Sequence, residues 1–398
     1  MRHLIIGNGA AGIHAAETIR ERDETAAIVL LDREPHRSYY RMMLPDFISG
    51  WKEQDALFAV KGSFYEHNRI DFHPSTAVVS VDASRHSLQT AAGETFEYDR
   101  LLIAAGAEPR LPLLPGIHLD GVVSLRTLDQ ALDIIRRLRG ARSAVTLGGG
   151  LLGVELARSF NERGLESNYL IREDRFWPQM LDHAGSHIIE SLLARNGIRL
   201  AKEETVAAIE GARSVRNVVT SRGREIESQI VGMSVGVAPA LGFLERSGLE
   251  IEGGIVVDDG MRTNLPDVYA AGDIAAAYDV AHGEHRVTTS YPNARRQGGV
   301  AGANMSGGAE SLGGVVPLNL IRIYGLPVAC MGISLPPDES YEVFTGPFPQ
   351  GDEYRNLVLK DGVLVGATLI GDVRRSRRLE EMIRDQVRID DPTSELLG

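Results

Sequence analysis

The chain opens on an apolar run, Leu4-Ile5-Ile6, with no polar alternation, the pattern of a strand buried on both faces of a parallel sheet. Gly7-Asn8-Gly9-Ala10-Ala11-Gly12 follows, and Ile13, Ala16 and Ile19 then recur at helical spacing. A second apolar run, Ile28-Val29-Leu30-Leu31, ends in Asp32, so residues 2–32 predict a complete βαβ unit. Leu101-Leu102-Ile103-Ala104 predicts another strand, ending at Gly106, and the prolines from Pro109 to Pro115 predict a linker.

Beyond that linker the pattern repeats. An amphipathic segment, Leu128 to Leu138, leads to the strand Ala144-Val145-Thr146-Leu147, the turn Gly148-Gly149-Gly150-Leu151-Leu152-Gly153, a helix from Val154 to Arg163 and the strand Tyr169-Leu170-Ile171. From about residue 320 the texture changes. Leu357-Val358-Leu359 and Val363-Leu364-Val365 flank Asp361-Gly362, a hairpin signal, and a helix is predicted from Ser376 to Gln386.

Composition narrows the class. Of 398 residues, 43% are hydrophobic and 24% charged, a globular balance that excludes disordered and fibrous chains. Glycine is in excess, 43 residues without a G-X-Y period, against a typical share of ~7%. Such glycines serve tight turns or close backbone approaches. A net charge of −12 argues against a nucleic-acid binder. No apolar run is long enough for a membrane span, and an N-terminus that enters a strand at once predicts no signal peptide. The single cysteine, Cys330, makes no disulfide, zinc site or iron–sulfur cluster within the chain, so no metal site is expected; a reducing cytoplasm is.

The glycine turns carry chemistry. Gly7 permits a sharp exit from the strand, Gly9 lets the backbone approach a pyrophosphate, and Gly12 lets helix and strand pack closely. The helix N-terminus offers free N–H donors to the phosphates, and Asp32, at a strand end, suits ribose hydroxyls. Two such units predict two dinucleotides, and the glycines do not decide which unit holds which.

A third motif decides it by resemblance. Val268-Tyr269-Ala270-Ala271-Gly272-Asp273, with Tyr98-Asp99-Arg100-Leu101-Leu102-Ile103-Ala104-Ala105-Gly106, resembles the flavin motifs of the pyridine-nucleotide-dependent flavoprotein reductases, the glutathione-reductase-like fold. Ala105 stands where that family usually has Thr. The resemblance implies an α/β fold with two Rossmann-like dinucleotide-binding domains plus a small α+β C-terminal domain. It implies FAD in 1–110 and 240–315, NADH or NADPH in 111–239, and an interface domain in 316–398. FAD would then be held by Gly7, Asn8, Gly9, Ala10, Ala11, Gly12, Asp32, Val78, Ala105, Gly106, Gly272 and Asp273, the last on the ribitol. The nicotinamide dinucleotide would be held by Gly148, Gly150, Leu151, Leu152, Gly153 and Gly236.

The thiol-dependent branches of the family carry redox cysteines after the first βαβ unit; here that stretch is Tyr39-Tyr40-Arg41-Met42-Met43-Leu44-Pro45. It resembles instead the rubredoxin reductases and the flavin portion of assimilatory nitrite reductases, which implies Arg41 on FAD, or else an arginine closing a surface turn. Some relatives have a Lys at the position of Asp46, paired to the Glu that matches Glu155. Glu155 is therefore the candidate catalytic residue beside the flavin–nicotinamide contact, or a helix-surface carboxylate, with its partner open. Gln297 lies in an A-x-x-Q-G helix whose start approaches the flavin. Nicotinamide choice stays open: a twenty-residue count from Gly153 reaches Glu173, an NADH-like acid, whereas alignment to the family puts Ile171 there with Arg172 beside it, an NADPH-like pattern. Arg374-Arg375-Ser376-Arg377-Arg378 is a solvated helix start or a surface that steers an acidic partner.

The implied activity is hydride transfer from NAD(P)H to FAD, then electron transfer to a separate iron–sulfur, rubredoxin- or ferredoxin-type protein, met transiently or in a stable complex. The alternatives are an NAD(P)H oxidase reducing O₂ and an NADH-sensing interaction flavoprotein.

Overall fold

The computed structural model describes residues 1–346 and 351–397, so 347–350 and 398 of the expected C-terminal block lie outside the described residues. Two parallel five-stranded sheets organise the first 300 residues. In the first, Ile70–His73, Ala27–Leu31, Arg2–Ile6, Arg100–Ile103 and Val268–Ala270 lie side by side, the doubly wound order in which sequence neighbours alternate about the first strand. In the second, Arg199–Ala201, Glu166–Leu170, Ser143–Leu147 and Ile230–Met233 repeat that order, with Val122–Val123 at the far edge. The central strands are mostly apolar because both faces are covered, one by helices and the other by a three-stranded antiparallel sheet (Val78–Asp82, Ser87–Thr90 and Thr95–Glu97 in the first half, Val206–Glu210, Asn217–Thr220 and Glu225–Glu227 in the second); Leu4, Ile5, Leu30, Leu101 and Leu102 have no solvent exposure. Each such side chain contributes about 1.5–3 kcal/mol of burial.

The helix Ala10–Arg22 packs its buried face on the helix Tyr291–Met305. Contact is close because Gly298 and Gly302 face the backbone of Ala11 and Ala15, where any Cβ would collide. Part of the glycine excess is therefore helix packing rather than ligand approach. The chain crosses between the two halves twice, through the antiparallel pair Ala107–Pro109 and Val237–Pro239. The expected linker follows the first crossing, with no helix or strand until Val122.

The C-terminal sheet is antiparallel, in the order Leu318–Ile323, Leu326–Gly332, Val363–Ile370, Tyr354–Lys360, Glu342–Thr345. Its hairpin turns at Asp361-Gly362, both with positive φ (51° and 76°), as a two-residue turn matched to the strand twist requires. The following helix ends at Arg384, two residues before the expected Gln386, which has left-handed backbone. One face of this sheet packs on the second half, where Ile323, Val328, Cys330 and Tyr354 share a core with Phe176, Leu181 and Ile189. No helix among the described residues is long and apolar enough to cross a membrane.

Candidate dinucleotide and redox site

The two glycine turns are built alike. Gly7 leaves its strand with φ 108° and donates its N–H to the Leu31 carbonyl at 2.8 Å; Gly148 has φ 124° and donates to the Leu170 carbonyl at 3.1 Å. A Cβ on Gly12 would run into the carbonyl of Gly7, and one on Gly153 into that of Gly148. Both helices start without a side-chain cap, so their first N–H groups stay free for an anion. Beyond Leu31, the Asp32 carboxylate accepts from the backbone N–H of Asn8 (2.6 Å) and of Glu34 (2.7 Å). Burial raises its pKa, and those two bonds oppose the rise.

Both turns open onto one cavity of about 840 Å³, a size suited to cofactors. Of the expected contact residues, Gly7, Gly9, Ala10, Ala11, Asp32, Arg41, Val78, Ala105, Gly106, Gly150, Leu151, Leu152, Glu155, Gly236, Gly272 and Asp273 line it. A Cβ on Gly9 or Gly150 would meet nothing within 4 Å, so the approach to both turns is open, as a bound diphosphate requires. The residues present fit two dinucleotides. Asn8, Gly12, Gly148, Gly153 and Gln297 are absent from the lining. Gly12, Gly148 and Gly153 shape the turns, while the Asn8 side chain points inward, donating to the His36 carbonyl at 3.1 Å and accepting from the Tyr65 hydroxyl at 2.9 Å. Gln297 is wholly buried, its Oε1 accepting the Gly272 N–H at 2.6 Å, so it holds the turn before Asp273.

Arg41 is a fixed cation rather than a surface closure. Its Nη2 lies 2.7 Å from Glu34 Oε1, and its Nη1 donates to the Tyr39 hydroxyl (2.7 Å) and the Arg126 carbonyl (2.9 Å). Burial pushes the Tyr39 phenol upward, and its hydroxyl donates to Glu34 Oε2 at 2.6 Å. The Arg126 guanidinium pairs with Asp273 at 2.7 Å. Glu34, Tyr39 and Arg126 were not expected at the site. Tyr39 sits beside Arg41 in sequence, but nothing local marks Arg126.

Glu155 lies partly buried on the helix Leu151–Glu162 and faces the cavity. The charged side chain one turn on, Arg158, is only 4% exposed; it pairs with Asp46 at 2.7 Å and with Glu162 at 3.3 Å. The Asp46 that stands in place of a lysine thus takes its cation from the opposite helix. Burial pushes the Glu155 carboxyl up to about 8; Arg158 opposes this and Asp46 reinforces it.

The strand register settles which residue of the second half matches Asp32. Ile6 pairs with Leu31 and Leu147 with Leu170, so the counterpart of Asp32 is Ile171, and the twenty-residue count to Glu173 overshoots by two. Glu173 nevertheless reaches back: its Oε2 lies 3.2 Å from where a Cβ on Gly149 would stand. Arg172 points outward, 82% exposed, with Nη2 3.0 Å from Glu173 Oε1. Neither residue lines the cavity.

Residues 1–298 match the family described as pyridine nucleotide-disulphide oxidoreductase, three quarters of the chain. The chain belongs to that family. It is accordingly an oxidoreductase whose cofactors are FAD and a nicotinamide dinucleotide. Residues 317–387 match the rubredoxin NAD+ reductase C-terminal domain. Among relatives, the NADH-dependent phenylglyoxylate dehydrogenase subunit epsilon of Aromatoleum evansii is 29% identical over 92% of this chain and 87% of its own length. The NADH-rubredoxin oxidoreductase of Clostridium acetobutylicum is 28% identical over 98% of this chain and 96% of its own. The chain spans only 48% of the nitrite reductase [NAD(P)H] of Bacillus subtilis, to which it is also 28% identical. The solved NAD-dependent persulfide reductase from A. fulgidus superposes with a TM-score of 0.91 at 28% identity, covering 98% of this chain and 78% of that one.

Proposed function

We propose that this protein oxidises NADH and delivers the electrons to a separate iron–sulfur or rubredoxin-type protein. One observation carries the reading: both nucleotide turns open onto a single cavity whose lining holds no cysteine. The only thiol, Cys330, is buried in the C-terminal sheet, so no sulfur relay connects with the site. Relatives named for rubredoxin and ferredoxin reduction support the direction of flow. When bound, FAD supplies the conversion of a hydride into singly released electrons.

The chain's own residues bind and orient. In this reading residues 1–110 and 240–315 hold FAD, 111–239 hold NADH, and 316–398 form the interface domain. Asp32 takes adenosine ribose hydroxyls, Asp273 takes the ribityl chain, and the turns at Gly7 and Gly148 seat the two diphosphates. Val78, Ala105, Gly106 and Gly236 offer wall and backbone, and Glu155 stands beside the reacting rings. NADH is favoured over NADPH because the Glu173 carboxylate, set against Gly149, repels a 2′-phosphate and its neighbour Arg172 is turned away and paired. The acceptor is met transiently or in a stable complex, within a reducing cytoplasm.

The test is anaerobic stopped-flow reduction of the flavin by NADH and by NADPH, followed by mixing with rubredoxin or a [2Fe–2S] ferredoxin. Fast bleaching by NADH and prompt acceptor reduction are expected. Oxygen uptake that outruns acceptor reduction would establish an oxidase instead, and slow turnover with an NADH-dependent change of oligomer size would establish a sensor.

A further inference from the structure

The cations around Glu155 are already taken. Its carboxyl makes no hydrogen bond or ion pair with any described residue, yet it lies between the cavity and a cluster of two acids on one guanidinium. Arg158, on its own helix, is held by Asp46 from the helix Leu44–Ser49 and by Glu162. Trp177, Gln179, Met180, Met233 and Ser234, which also line the cavity, carry no charge, and the wall's Arg33 and Arg126 are paired with Glu108 and Asp273. Arg41, also in the wall, is paired to Glu34. With all three carboxyls ionised, the cluster would hold three negative charges against one positive, in a partly desolvated wall.

Such a carboxyl responds to the charge of what enters the cavity. Oxidised nicotinamide carries a positive ring and the reduced ring is neutral, while the rest of the dinucleotide is the same in both. A cation within ~4–6 Å favours the ionised carboxylate, by 1–3 pKa units on the general scale, and a neutral ring does not. We propose that Glu155 releases its proton when oxidised nicotinamide dinucleotide binds and keeps it when a neutral-ring nucleotide binds, so that this site links nucleotide charge to a proton. The proposal rests on the reading that the cavity takes a nicotinamide dinucleotide.

The test is titration calorimetry on the oxidised, FAD-loaded protein, in phosphate and in Tris, whose ionisation enthalpies differ. The probes are NAD+ and 1,4,5,6-tetrahydro-NAD, a neutral-ring analogue that cannot reduce the flavin. Burial pushes the carboxyl up to about 8, so it is mostly protonated at pH 7. Release of up to about one proton per NAD+ is expected at pH 7, falling away by pH 9, with none for the analogue. The NAD+ Kd should fall up to about tenfold per pH unit below pH 8 and level off above it. Glu155→Gln should abolish both effects while the analogue still binds. NAD+ binding at pH 7 without proton release in the unmodified protein overturns the proposal, as does release that survives in Glu155→Gln. Failure of either nucleotide to bind overturns the underlying reading of the cavity, a distinct result.

Discussion

Arg126 and Asp273 are 147 residues apart in sequence, and Nη2 of one stands 2.7 Å from Oδ2 of the other. Arg126 follows the edge strand Val122–Val123 of the second sheet, and Asp273 follows the strand Val268–Ala270 of the first. The pair therefore joins the two halves at the cavity wall. The Arg126 carbonyl also accepts from Arg41, so one residue steadies both charged groups nearest the expected flavin.

Arg126→Met leaves the Asp273 carboxylate facing the cavity without its cation. A charge-assisted hydrogen bond is worth about 1.5–3 kcal/mol, so FAD affinity should fall roughly 10- to 100-fold. Titrating apoprotein into FAD and following flavin fluorescence measures this. Asp273→Asn in the Arg126→Met background should recover part of the loss; if it recovers none, the role assigned to the pair is wrong.

The two glycine turns should fail separately. Gly12→Val forces a side chain into the Gly7 carbonyl and should yield protein without flavin. Gly153→Val does the same at Gly148, 141 residues on in the repeat, and should keep its yellow colour while losing reduction by NADH at least 100-fold. Flavin absorbance per protein and single-turnover reduction read the two outcomes independently.

What was legible in the sequence is what short-range constraint imposes. A strand, a glycine turn and a helix must be contiguous, so both βαβ units, Asp32 and the hairpin at Asp361-Gly362 could be read directly. Glu173 shows the limit: residue counting assumes equal helix and loop lengths, and the second unit is two residues shorter between Gly153 and its strand end. Partners supplied across the fold were invisible for a plainer reason. Nothing near Arg158 in sequence says that Asp46 will meet it, and nothing near Arg126 points to Asp273; those contacts exist only once two halves have docked.

Nicotinamide preference should follow Glu173. Glu173→Ser removes the carboxylate beside Gly149 and releases Arg172 from its ion pair, leaving a guanidinium free for a 2′-phosphate. The ratio of kcat/KM for NADPH over NADH should rise by about 10- to 100-fold. Additional replacement of Arg172 by Ala should cancel most of that gain, and steady-state kinetics with both nucleotides checks it.

Stability leans on a different arginine. Arg20 is buried at the end of the first helix, and its guanidinium donates to the carbonyls of Asp23, Glu24, Ala26, Asn68 and Arg69. Arg20→Met keeps the aliphatic packing but removes the donor from five carbonyls. Outside the regular strands and helices, only that of Asp23 keeps a backbone partner among the described residues, the Ala26 N–H at 3.3 Å, so the substitution should cost about 3 kcal/mol or more. Urea denaturation should show the midpoint falling while the flavin spectrum of the folded protein stays unchanged.

The last prediction concerns the lone thiol. Cys330 sits in the strand Leu326–Gly332 with no exposure, opposite Thr368 on the neighbouring strand. Burial pushes its thiol up to about 12, with the Thr368 hydroxyl opposing the shift. A raised thiol pKa means a neutral, unreactive sulfur throughout pH 6–9, since the thiolate is the nucleophile. Iodoacetamide should therefore modify no cysteine in the folded protein and one in urea, counted by intact-mass measurement. Cys330→Ala should lower stability by about 1 kcal/mol through lost packing, and should leave the rate of flavin reduction by NADH within twofold. Stoichiometric labelling of the native protein with loss of acceptor reduction would show that sulfur does take part, and the electron path from nicotinamide to partner would then have to be redrawn through the C-terminal sheet.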